Sequence, residues 1–105
     1  MFAGFSRSHM NRTEYLLTCL AEECNEVAQR VSKILRFGLN EVQPGYTSSN
    51  LTRLNEELAD LCGVVRMLYP LGIQLQSGTT EKMIEKEKKV NKYFEYSKQI
   101  GVANE

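Results

Sequence analysis

Apolar residues recur along three stretches of the chain at steps of three, four and seven, the spacing of an amphipathic helix. The first stretch carries Leu16, Leu20, Val27, Val31 and Ile34 and predicts a helix from about Asn11 to Arg36. Asn11 or Thr13 caps it, Glu14 falls in its first turn and Gly38 stops it. The second carries Leu54, Leu58, Leu61, Val65 and Leu68 and predicts a helix from about Asn50 to Tyr69. Ser49 or Asn50 is its N-cap, and Pro70 with Gly72 ends it. The third, from about Thr80 to Ile100, has Met83, Val90, Phe94 and Ser97 on one side with Tyr93 beside them. Thr79 or Thr80 caps it and Gly101 stops it. No stretch alternates as a strand would. The segment Phe37–Ser48 is polar, holds a Pro-Gly turn and is long for the connection of a helical hairpin.

The fold class is therefore all-α, with three main helices. Three helices in 105 residues enclose a thin core, and the first two are apolar over a wide arc. The expected solution is a bundle completed by homo-oligomerisation. Residues 1–10 read as an N-terminal extension, tag-derived because Ser8-His9-Met10 resembles a cloning scar, and 11–105 as a single helical domain.

Composition narrows the function. Thirteen basic and thirteen acidic side chains leave no net charge, which argues against a nucleic-acid partner. No apolar run is long enough for a membrane span, and no secretion signal is visible. Cys19, Cys24 and Cys62 form no C-x-x-C pair and fall in apolar-periodic stretches. They read as small buried hydrophobes kept reduced, in a cytoplasmic protein. The lone histidine, His9, makes a zinc site improbable, and the absence of Glu-x-x-His pairs argues against a di-iron bundle.

Two acidic clusters break the amphipathic pattern, Glu22-Glu23-Cys24-Asn25-Glu26 on the first helix and Glu56-Glu57-Leu58-Ala59-Asp60 on the second. At about 100° per residue, Glu23 projects within the stripe of Leu16, Leu20 and Val27, with Glu26 at its edge. Glu57 projects among Leu61, Val64 and Leu68, with Asp60 on the flank. Ionised carboxylates in an apolar bundle cost several kcal/mol each unless compensated. Arg30 and Lys33 offer part of an ion-pair network. Four carboxylates against so few inward-facing bases favour a divalent cation, and all-oxygen ligation selects Mg²⁺, with Mn²⁺ the alternative.

Glu22-Glu23-x-x-Glu26 followed by Glu57-x-x-Asp60 resembles the E-E-x-x-E … E-x-x-D signature of the MazG-like all-α nucleoside triphosphate pyrophosphohydrolases. The stretches Ser32–Leu39 and Leu54–Leu61 are similar to its small single-domain phage and bacterial members, as is the third helix with Lys86, Lys89, Val90 and Tyr93. The resemblance spans roughly residues 12–101. The 30 residues between Glu26 and Glu57 stand toward or beyond the long end of the family's usual gap.

The resemblance implies a helical bundle built from two subunits, arranged as a homodimer or homotetramer. It implies Mg²⁺-dependent hydrolysis of a (deoxy)nucleoside triphosphate to monophosphate and pyrophosphate, a nucleotide-pool trimming or house-cleaning activity. Glu23, Glu26, Glu57 and Asp60 fall at the metal-binding positions. Glu22 or Glu26 is the candidate to take the proton of the attacking water. Lys33 and Arg36 continue the face of Glu26, and Lys86 and Lys89 edge the apolar side of the third helix; these four are the candidate phosphate-binding cations. No Gly-rich phosphate loop is present. Phe37, Tyr46, Tyr69 and Tyr93 are candidates to stack on a base. The alternative is a catalytically inactive helical interaction module whose carboxylates are met by Arg30, Lys33 and a partner's basic groups.

Overall fold

The computed structural model describes residues 9–104, and the extension expected over residues 1–10 lies almost wholly outside them. The described residues hold three α-helices: α1 (Arg12–Phe37), α2 (Asn50–Leu68) and α3 (Thr80–Gln99). Among the described residues there is no strand. No described helix is long and apolar enough to cross a membrane. The chain divides into two compact units, Met1–Leu75 and Gln76–Glu105.

The first unit is a helical hairpin of α1 and α2. At the start of α1, Asn11 Oδ1 accepts from the backbone N–H of Glu14 at 2.8 Å, and Glu14 Oε1 accepts from the N–H of Asn11 at 3.1 Å. This reciprocal capping box uses two donors that a helix start otherwise leaves unpaired. Ser49 caps α2 by accepting from the N–H of Thr52. Beyond Leu68 the helix tightens into a 3-10 turn, Tyr69–Leu71, and Gly72 at φ 91° closes it in a left-handed conformation that suits glycine.

The long connection between α1 and α2 is fastened at Asn50, which is wholly buried. Its Nδ2 donates to the carbonyl of Gly38 at 2.9 Å and to Glu41 Oε1 at 3.0 Å. Two backbone bonds reinforce the fastening, Asn50 N–H to Glu41 O and Leu51 N–H to Leu39 O, each at 3.0 Å. Further along, the Arg53 guanidinium lies 3.6 Å from the centre of the Tyr46 ring. These ties hold the end of α1 to the start of α2, so the helices run antiparallel and the gap between the motifs is taken up by ordered chain.

The core is as thin as three short helices imply. Leu16 and Leu68 are its fully buried apolar residues, while Leu20, Val27, Ile34, Leu54 and Leu61 are half-buried. Val31, expected in the α1 stripe, is exposed, as are Leu35 and Leu58. A helix packed against one neighbour buries a narrow seam, and these residues fall outside it. The cysteines also depart from expectation. All three are free thiols, but Cys19 is half-buried and Cys24 and Cys62 are exposed, because they lie off the same seam.

The second unit consists of α3 and its flanks. Thr79 caps the helix by accepting from the N–H of Lys82. Ion pairs Lys82–Glu85 and Lys98–Glu95 run along its surface at i,i+3 spacing. Met83, Val90 and Phe94, the apolar side expected from the sequence, are exposed.

Candidate metal centre

Packing of α1 on α2 brings the two acidic motifs together. One carboxylate oxygen each from Glu23, Glu57 and Asp60 lies within 4.8 Å of the other two. Glu57 and Asp60 are i and i+3, so they share one edge of α2, and Glu23 meets them from α1. Glu23 and Glu57 are half-buried and Asp60 is exposed, the gradient the helical angles predict.

Three carboxylates in so small a volume repel one another. Glu23 carries the effect most clearly. Burial holds its carboxyl above the ordinary range, and the charges of Asp60, Glu57, Glu26 and Glu22 push it in the same direction. Its Oε2 is closed off from solvent and accepts no hydrogen bond. A desolvated acceptor beside other acidic groups is met by a proton or a cation, and the three carboxylates could hold the latter. No ion pair joins Arg30 or Lys33 to these carboxylates among the described residues. The donor set is all oxygen from carboxylates, which suits Mg²⁺ or Mn²⁺ and does not suit zinc or copper.

The remaining sequence-derived candidates are placed less closely. Glu26 is half-buried and lies outside the trio, acting on Glu23 through its charge. Glu22 is exposed on α1 and likewise acts on Glu23 through its charge. Lys33 and Arg36 gather at the end of α1 around Phe37, with Lys33 Nζ 5.8 Å and Arg36 Cζ 4.8 Å from its ring centre. Lys86 and Lys89 are exposed on α3, in the other unit. Of the candidate stacking rings, Tyr46 is covered on one face by Arg53, whereas Tyr69 and Tyr93 are exposed.

The sequence reading missed two features. Asn50 is the fastener of the interhelical loop, a role no local motif marks. Arg53 is half-buried and lies two helical turns before Asp60 on α2. Its position seven residues before Asp60 was the available signal. An open cleft of about 300 Å³ at the far end of α2 is lined by Val65, Arg66, Tyr69, Pro70 and Leu75 and by none of the acidic residues.

The described fold is all-α, and the α1–α2 hairpin converges carboxylates from two motifs. Residues 11–91 match the MazG nucleotide pyrophosphohydrolase domain, and the chain belongs to that family. No curated protein matches the chain. No solved structure matches it either.

Proposed function

We propose that the protein is a Mg²⁺-dependent nucleoside triphosphate pyrophosphohydrolase, converting (d)NTP to (d)NMP and pyrophosphate and serving to trim or clean a nucleotide pool. The observation that carries this reading is the convergence of Glu23, Glu57 and Asp60, with Glu23 Oε2 shielded and unpartnered. Membership of the family supports a hydrolase of this general type.

Glu23, Glu57 and Asp60 would hold the cation, with Glu26 as the fourth carboxylate. Bound there, Mg²⁺ supplies the positive charge that lets a polyanion approach and polarises its phosphoryl oxygens. The chain's own groups do the rest. Glu22 or Glu26 accepts a proton from water at a carboxylate oxygen, so that hydroxide character develops opposite the leaving pyrophosphate. Lys33 and Arg36 on α1 bring positive charge to the phosphates.

The apolar residues left exposed on the helices, among them Val31, Leu35 and Leu58, support a homo-oligomer in which a second copy thickens the core. The three free thiols suit a cytoplasmic setting, where they stay reduced.

The test is pyrophosphate release from a panel of NTPs and dNTPs in Mg²⁺, in Mn²⁺ and in EDTA. Metal-dependent release of pyrophosphate with monophosphate as co-product is the expected result. Release of inorganic phosphate with diphosphate would move the bond attacked and overturn the reading. No turnover, together with no thermal shift in Mg²⁺, would favour the inactive interaction module.

A further inference from the structure

Two half-buried arginines, Arg30 on α1 and Arg53 on α2, stand two helical turns from the carboxylate trio. Seven residues are about two helical turns and return to nearly the same face. On α1, Leu16, Glu23 and Arg30 follow one another at that step; on α2, Met67, Asp60 and Arg53 do the same in the opposite direction. The two helices are antiparallel and Glu23 meets Asp60. Moving two turns from this contact toward the interhelical loop arrives at Arg30 on one helix and Arg53 on the other. By that register the two arginines lie on the same side of the hairpin, at the edge of the seam since Met67 and Asp60 on the Arg53 face are exposed, about 10 Å along the helix axes from the carboxylates.

Both guanidiniums are short of partners. Arg30 Nε and Arg53 Nη1 are closed off from solvent, and neither donates a hydrogen bond. Among the described residues neither arginine forms an ion pair. The nearby Glu41 carboxylate is engaged instead by Asn50. Arg53 is further fixed by the face of Tyr46. A desolvated guanidinium without a counter-charge is costly, and an anion on its remaining N–H groups restores what burial removed. Planar, forked donors match phosphate oxygens better than ammonium groups do.

We propose that Arg30 and Arg53 form a clamp for the terminal phosphates of the substrate, the pair that leaves as pyrophosphate. The identity of the anion rests on the pyrophosphohydrolase reading; the clamp itself rests on the two shielded guanidinium nitrogens that donate no hydrogen bond and on the seven-residue register. It assigns phosphate binding to two half-buried residues of the hairpin, ahead of the exposed cations Arg36, Lys86 and Lys89.

The experiment is calorimetric titration of the full chain with inorganic pyrophosphate in Mg²⁺, on wild type and on Arg30→Gln, Arg53→Gln and the two Arg→Lys variants. Loss of a charge-assisted hydrogen bond predicts about 10- to 100-fold weaker pyrophosphate binding in each Gln variant. Mg²⁺ binding titrated alone stays unchanged, and the Lys variants retain part of the affinity. Arg53→Gln also removes the stack on Tyr46, so Arg30→Gln provides the arm free of that contact. Pyrophosphate binding within twofold of wild type in folded Arg30→Gln and Arg53→Gln would overturn the clamp, whether or not melting temperatures fall. That result with wild-type turnover intact leaves the enzymatic reading standing. Arginine-dependent pyrophosphate binding in a wild type that hydrolyses no triphosphate would uphold the clamp and overturn the enzymatic reading.

Discussion

Glu23 on α1 and Asp60 on α2 bring carboxylate oxygens within 4.8 Å of each other, and Glu57 shares the contact. Acidic groups from two helices do not approach this closely for stability, since each raises the cost of ionising the others. Their convergence is the feature from which the chemistry of the hairpin follows.

Glu57→Gln removes one charge from this contact while keeping its shape. The variant should lose at least a hundredfold in pyrophosphate release, because a carboxylate ligand is gone. In EDTA its melting temperature should match or exceed wild type, by about 4 °C if relief of repulsion is worth roughly what one favourable surface substitution is. Thermal melts in EDTA and in Mg²⁺ check both points. An unfolded Glu57→Gln protein would make the carboxylate a structural group.

Stability without metal should depend on pH in an unusual direction. Glu23 has its pKa raised in the folded chain from an ordinary value of 4.5, with burial the main cause and the neighbouring acids adding to it. The folded state therefore holds this proton more tightly than the unfolded state. The resulting stability is present below the ordinary pKa and is lost as pH rises through the folded one. Denaturation of the EDTA-treated protein should show this Glu23 contribution falling above pH 4.5, and Glu23→Gln should abolish it. Millimolar Mg²⁺ should reverse the loss by binding the ionised form.

The Asn50 fastening should be one of the costliest single contacts to remove. Asn50→Ala frees the carbonyl of Gly38 and Glu41 Oε1 and leaves a gap where a wholly buried side chain stood. The expected loss is about 2–4 kcal/mol, against about 0.5 kcal/mol for an exposed polar residue. Urea unfolding measures it. Asn50→Asp should be at least as damaging, because it sets a carboxylate against Gly38 O and Glu41.

The legibility of the sequence varied with the range of the interaction. Helix starts and stops were readable because caps are local: Asn11 with Glu14, Ser49, Thr79, and glycine at 38, 72 and 101. The carboxylates were readable because Glu23 and Glu57 interrupt apolar stripes. The Asn50 fastening and the half-buried Arg53 were not read, since they depend on how the loop sets one helix against the other. Burial was overestimated at Val31, Cys24 and Cys62 because periodicity gives a stripe's direction and not the width that one neighbour covers.

The proposed homo-oligomer would cover the apolar surface that this narrow seam leaves exposed. Sedimentation should give a mass of at least twice the 12.0 kDa chain. Charged substitution of an exposed apolar residue, such as Leu58→Glu, should shift it toward the monomer if that face is in the interface.

The central claim is most directly tested by the products formed from nucleoside triphosphates in Mg²⁺, resolved by chromatography and compared with Glu23→Gln. The account predicts monophosphate and pyrophosphate from wild type, none in EDTA and at least a hundredfold less from the variant. Equal turnover by wild type and Glu23→Gln would contradict it.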